Sequence, residues 1–200
     1  EAIRLARLLC DLLPDAEVYG LLALMLLHES RRDSRTDATG DLVLLEDQDR
    51  SRWNRDQINE AITWLNRAFA TDSVGVYSIQ AAISAVHAEA TSVAQTDWNR
   101  IANWYDILLK ASPSPVVELN RAVAIAMRDG PAVGLSLLDE LQSKRCLEEF
   151  HLLYAARADL LRRLSRHAEA AEAYRLALQT CRQVPERRFL ERRLREMSAP

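Results

Sequence analysis

The last third of the chain repeats itself at a step of 36 residues. Ala122 returns as Ala158, Gly134 as Ala170, Leu138 as Tyr174 and Leu141 as Ala177. Each copy has a small residue on a first helix and a tight turn (Asp129-Gly130, then Ser165-Arg166). A small–large–small pattern follows on a second helix. Small residues let two antiparallel helices approach closely, and the large residue fills the groove of the next pair. Such a unit cannot bury its apolar face alone, so neighbours must stack. The alternative is an irregular helical bundle with Ala-rich packing.

The rest of the chain carries the same helical period. Ile3, Leu5, Leu8, Leu9, Leu12 and Leu13 recur at three- and four-residue steps until Pro14. Asp15 is placed to cap a second helix reaching about Arg31. Helices are then expected from Trp53 or Asn54, from Gly75 to about Ala90, and from Thr96 or Asp97 to Ser112. Five more are expected near 115–128, 131–142, 147–164, 167–181 and 186–197. With only 5 Gly and 6 Pro, a sandwich, a barrel or a Gly-rich nucleotide fold is excluded. The fold class is therefore all-α: about ten helices in antiparallel pairs, stacked as a solenoid, with one long ordered loop near 32–53. Residues 1–200 are expected to form one helical domain. Its parts are a linking helix at 1–13, divergent pairs with the loop at 14–110, and repeats with a capping helix at 111–200.

The longest apolar stretch, Leu21 to Leu27, is too short to span a bilayer. Cys10, Cys146 and Cys181 are odd in number and far apart, which argues against a disulfide framework and for a reducing cytoplasm. The net charge is −3, yet residues 151–200 hold eleven Arg against six acidic residues. The chain opens on Glu1 rather than Met, so the expectation is a fragment or processed product with a partner domain preceding it.

Periodicity fails between residues 32 and 53, and ordered loops of that length are uncommon and often functional. Asp47, Gln48, Asp49, Arg50, Arg52 and Trp53 put both charge signs and an aromatic in a short stretch. Leu42 to Leu45 are placed to anchor the loop. Its charged end then either meets another domain or closes the loop through internal salt bridges. Asn120, Arg121, Arg157 and Arg162 fall on first helices of successive repeats. In a stacked array such residues line the concave face, or else they serve interhelical bonds and solvent. His28 and His87 end apolar helical runs and lack the ligand spacing of a metal site. Cys146 and His151 are five apart and do not share a helical face, so a Cys–His nucleophile is not expected. No catalytic residues, cofactor or metal are expected, and the chain is not read as an enzyme.

Tyr154 through Ala177 resembles a tetratricopeptide repeat. Tyr154 stands at its first aromatic, Ala158, Ala170, Tyr174 and Ala177 stand at its small and aromatic positions, and Ser165 replaces the Gly of its turn. Longer strings carry a second resemblance. They are Gly20 to His28 (GLLALMLLH), Gly40 to Trp53 (GDLVLLEDQDRSRW), Gln80 to Ala88 (QAAISAVHA), Pro113 to Ala122 (PSPVVELNRA) and Ala155 to Leu164 (AARADLLRRL). In this order they resemble the C-terminal extension of a group of bacterial extracytoplasmic-function (ECF) sigma factors, group forty-two of their classification, which have a tetratricopeptide-like tail.

That resemblance implies a regulatory domain acting by protein–protein contact in promoter-dependent transcription initiation. Its partners would be the sigma core in cis, and RNA polymerase or a regulatory protein. Promoter DNA would be reached only through an N-terminal region outside this chain. The domain would be cytoplasmic, with no membrane contact. The competing reading is a stand-alone tetratricopeptide adaptor that captures a peptide.

Overall fold

The computed structural model describes residues 1–71 and 73–198. Ten α-helices run through them: α1 (Ala2–Leu12), α2 (Ala16–Glu29), α3 (Arg55–Phe69), α4 (Val76–Glu89), α5 (Trp98–Ala111), α6 (Pro115–Asp129), α7 (Pro131–Ser143), α8 (His151–Arg163), α9 (His167–Thr180) and α10 (Val184–Ser198). The described residues contain no strand, only one antiparallel bridge between Thr36 and Leu42. The fold is all-α, with helices packed in adjacent pairs in the manner of a helical solenoid.

The caps explain several boundaries. The carboxylate of Asp15 accepts from the backbone N–H of Glu17 at 2.8 Å, Asn54 from Gln57 at 3.1 Å and Asp97 from Arg100 at 3.0 Å. Ser114 caps α6, with Pro115 at the first helical position where its missing N–H costs nothing. Gly75 brings no side chain to the start of α4. The carboxylate of Glu17, far back on α2, accepts from the N–H groups of Val76 and Tyr77 instead. A Cβ at Gly75 would lie 2.0 Å from the Glu17 carboxyl carbon, so this cap requires glycine.

Two expected starts shift. The helix expected from 147 begins at His151, because Arg145 takes a left-handed conformation (φ 56°) after α7 and residues 144–149 form turns. The last helix begins at Val184, not 186, since Pro185 fits a first helical turn. Within the loop, Asp41 to Glu46 forms no strand, and only Leu42 is bridged, to Thr36. The segment then turns where the Asp47 N–H donates to the Leu44 carbonyl at 2.9 Å.

The chain divides into two compact units. The first comprises residues 1–35 and 43–113. There α2 packs against α1, α3 and α4, and α4 against α5. Leu22, Ala23 and Leu26 are fully buried with Trp53, Ile58, Ala61 and Ala81. Each such leucine contributes about 1.5–3 kcal/mol by leaving water.

The second unit comprises residues 36–42 and 114–200. Its helices pair in chain order, α6 with α7, α7 with α8, α8 with α9 and α9 with α10. The repeat residues are its core: Ala122, Leu138, Leu141, Ala158, Ala170, Tyr174 and Ala177 are all buried. A Cβ at Gly134 would meet the Ala126 Cβ at 2.3 Å, so α6 and α7 touch where the repeat demands a small residue. At the turn after α8, Ser165 takes φ 59°. Its N–H donates to the Arg162 carbonyl at 2.9 Å, and the Arg166 N–H to that of Leu161 at 2.9 Å. This is a Schellman closure built without the usual glycine.

Candidate functional site

Within the first unit, residues 32–35 and 43–53 of the loop are held by hydrogen bonds. The Val43 N–H donates to the Arg35 carbonyl (2.9 Å), and Arg35 donates to the His28 carbonyl (2.6 Å). Gln48 donates to the Val43 carbonyl (3.1 Å). Asp49 starts a single 3-10 turn by accepting from the Ser51 N–H (3.0 Å) and hydroxyl (2.6 Å).

Arg50 closes the loop. One of its terminal nitrogens donates to the carbonyls of His87 (2.8 Å) and Ala90 (2.9 Å), the other to the Thr96 hydroxyl (3.1 Å). Arg55 donates to the Ala88 carbonyl at 3.1 Å. The last carbonyls of a helix lack intrahelical donors and carry partial negative charge, so the end of α4 is a natural seat for two guanidinium groups. The Arg50 guanidinium also lies over the Trp53 ring at 5.2 Å, and both side chains are buried.

The six expected interaction residues therefore separate by placement. Gln48, Arg50 and Trp53 are buried, and the Asp49 carboxylate is engaged within the loop. Asp47 and Arg52 face solvent. The string closes the loop internally through Arg50 and leaves Asp47 and Arg52, of opposite charge, exposed.

Around it lies a cluster of cationic and imidazole groups that spacing did not reveal. Burial, then nearby Arg35, brings the Arg31 guanidinium down to about 10. His87 is held down at about 4 by burial, with Arg50 and Arg31 adding to the effect. His28 is also lowered to about 4, by burial and then by Arg31 and Arg35, although its outer edge is open to solvent. Among the described residues no carboxylate pairs with Arg31, Arg35, Arg50 or Arg55. The side-chain hydrogen bonds of Arg35, Arg50 and Arg55 go to carbonyls and one hydroxyl. The signal in the sequence was only the Arg-rich composition, which has no position.

In the second unit the expected concave-face residues are held differently. Asn120 is exposed and Arg121 half-buried on α6. Arg157 of α8 donates to Asp139 of α7 at 2.8 Å, and Arg162 donates to Asp159 of its own helix at 2.6 Å. An open groove of about 540 Å³ lies nearby, lined by Leu135, Ser136, Asp139, Glu140, Leu164 and Arg166 among others. None of the four expected residues lines it. On α10, Arg188 and Arg192 reach the Asp41 carboxylate at 3.4 and 3.5 Å, and Arg192 and Arg193 flank the Phe189 ring.

The strongest surface feature is on α1. Ala6 and Cys10 are buried, and Arg7 forms a two-pronged bond to Glu60 of α3, both contacts at 2.8 Å. The opposite face is apolar and open: Leu5, Leu8, Leu9, Leu12 and Leu13 are all exposed, Leu12 by 82%. Periodicity identified the helix but not that two of its sides are apolar. No helix among the described residues is long and apolar enough to cross a membrane.

Residues 1–69 match a family described as a family of unknown function, DUF6596. The whole chain is 42% identical to a protein of Rhizobium meliloti (strain 1021) named "Uncharacterized protein R00370". The alignment covers 100% of this chain and 47% of that protein, so the chain spans about half the length of the curated relative it matches.

Proposed function

We propose that this chain is a regulatory helical domain of an ECF sigma factor, working through contact with other protein domains. The observation that carries the contact is the open leucine stripe of α1. A monomer rarely leaves so many contiguous large apolar side chains in water, and such patches mark docking surfaces. The resemblance of five strings supplies the partner class, and the longer curated relative is consistent with a domain that works inside a larger protein.

In this reading the α1 stripe seats on the sigma core. The Arg50-closed loop holds Asp47 and Arg52 at fixed positions for a second contact, and partly buried Arg31 offers a cation to an acidic side chain of the partner. The test is run-off transcription from a cognate promoter by the full-length protein, with and without residues 1–200. Activity should fall at least about tenfold without them, which corresponds to about 1.4 kcal/mol of lost coupling. Equal activity would overturn the proposal.

A further inference from the structure

Three helix ends meet at one place in the second unit. His151 opens α8, Cys181 follows the last residue of α9, and Glu186 lies in the first turn of α10. His151 Nε2 lies 2.8 Å from Glu186 Oε2, and Cys181 Sγ lies 3.8 Å from the same oxygen. All three donor atoms lie within 4.8 Å of one another. Cys181 is buried, while the side chains of His151 and Glu186 keep 17% and 26% of their surface open.

The hydrogen bonding does not account for this convergence. His151 Nε2 is sealed from water and makes no hydrogen bond of acceptable geometry, though Glu186 is at hydrogen-bond distance. Cys181 has only long contacts, to the Gln183 carbonyl at 3.9 Å and to Glu186. Arg187, the nearest cation along α10, is turned onto the carbonyls of Leu178 (2.7 Å) and Cys181 (2.9 Å), which fixes the thiol-bearing turn.

We propose that His151, Cys181 and Glu186 form a three-ligand site for a borderline divalent transition-metal ion such as zinc, with a fourth position open to water or an outside ligand. One imidazole nitrogen, one sulfur and one carboxylate oxygen are donors that such ions accept together. Tetrahedral bond lengths to these atoms place the donors about 3.3–3.6 Å apart. The His–Glu pair must open by about half an ångström to reach that spacing, the Cys–Glu pair must close by a few tenths, and the His–Cys pair, within 4.8 Å, must close by up to about 1.2 Å. Binding replaces the thiol proton: the ion takes the sulfur lone pair as thiolate and one proton leaves to solvent. Because that proton is released, uptake strengthens as pH rises. A bound ion would clip the start of α10 to α8 and α9. The site is independent of the role proposed for α1 and the loop.

The test is titration of the purified 200-residue chain with cobalt(II), followed by competition with zinc. One equivalent of cobalt should give a thiolate-to-metal charge-transfer band and tetrahedral visible bands, which zinc abolishes. Cys181→Ser should lose the charge-transfer band, and His151→Ala or Glu186→Gln should weaken uptake about tenfold or more. Cys146→Ser, which changes the exposed cysteine, should leave the spectrum intact. Zinc should also raise the melting temperature of the parent and not of Cys181→Ser, whose fold is checked by circular dichroism. No stoichiometric uptake would show a His151–Glu186 ion pair only and overturn the proposal. A charge-transfer band that survives Cys181→Ser or disappears in Cys146→Ser would overturn it equally.

Discussion

Arg50 holds three acceptors with one side chain, and each would be left without its donor if the side chain were removed. Arg50→Ala should destabilise the chain by about 2–4 kcal/mol, from unpaired carbonyls at the end of α4 and lost packing on Trp53. Arg50→Lys should recover less than half of that, because one ammonium cannot reproduce the fork. Urea unfolding followed at 222 nm checks both, and unchanged stability in Arg50→Ala would refute the closure.

His87 makes a pH prediction whose sign is fixed. Its folded value of about 4 lies below the unfolded value near 6.5, so the unfolded chain binds the extra proton between them. Stability contributed by the neutral ring is complete above pH 6.5 and is lost as pH falls toward 4. His87→Gln should flatten the slope of stability against pH between 6.5 and 5, by about 1–2 kcal/mol across that window. Identical slopes would show that His87 does not carry it.

At the scale of the element, α1 and the repeat helices differ in what their sequences disclose. Ala158, Ala170, Tyr174 and Ala177 were legible as core because a 36-residue repeat places small against large, and all four are buried. Leu5, Leu8, Leu9 and Leu12 of α1, with Leu13 just beyond it, follow a helical period, yet all five remain in water, since periodicity marks a helix and not the surface that covers it. The double variant Leu8→Glu, Leu12→Glu should leave the melting temperature of the 200-residue chain within about 3 °C, because neither side chain is buried. In the sigma-factor role proposed above, the same pair in the full-length protein should lower run-off transcription about tenfold or more. Gly20 is the opposite case: a Cβ there would lie 2.4 Å from the Ser78 backbone nitrogen, so Gly20→Ala should force α2 from α4 and cost about 1–3 kcal/mol in thermal unfolding.

At the scale of the whole molecule, each unit has its own core, the second built from Leu119 through Leu190. A fragment of residues 114–200 should therefore keep a helical circular dichroism spectrum and a cooperative melt. It lacks Asp41, but the exposed contacts of that residue with Arg188 and Arg192 contribute only about 0–1 kcal/mol. A broad, non-cooperative melt would count against two cores. The ten helices could be read from pattern, whereas the site could be read only by string. Nothing local in Asp47 to Trp53 says that Arg50 reaches carbonyls some forty residues on, or that Glu17 caps α4. Likewise His151 and Cys181 are thirty residues apart, and only the pairing of α8 with α9 brings them together.

The guanidinium closure has one more consequence. Arginine stays protonated across the physiological range, so loss of a proton from Arg50 cannot undo this latch, and no thiol takes part for an oxidant to act on. What can displace carbonyl dipoles from a guanidinium is a full negative charge in bidentate geometry. The chemistry able to compete with the end of α4 for Arg50 is therefore that of an anion, a carboxylate or a phosphate.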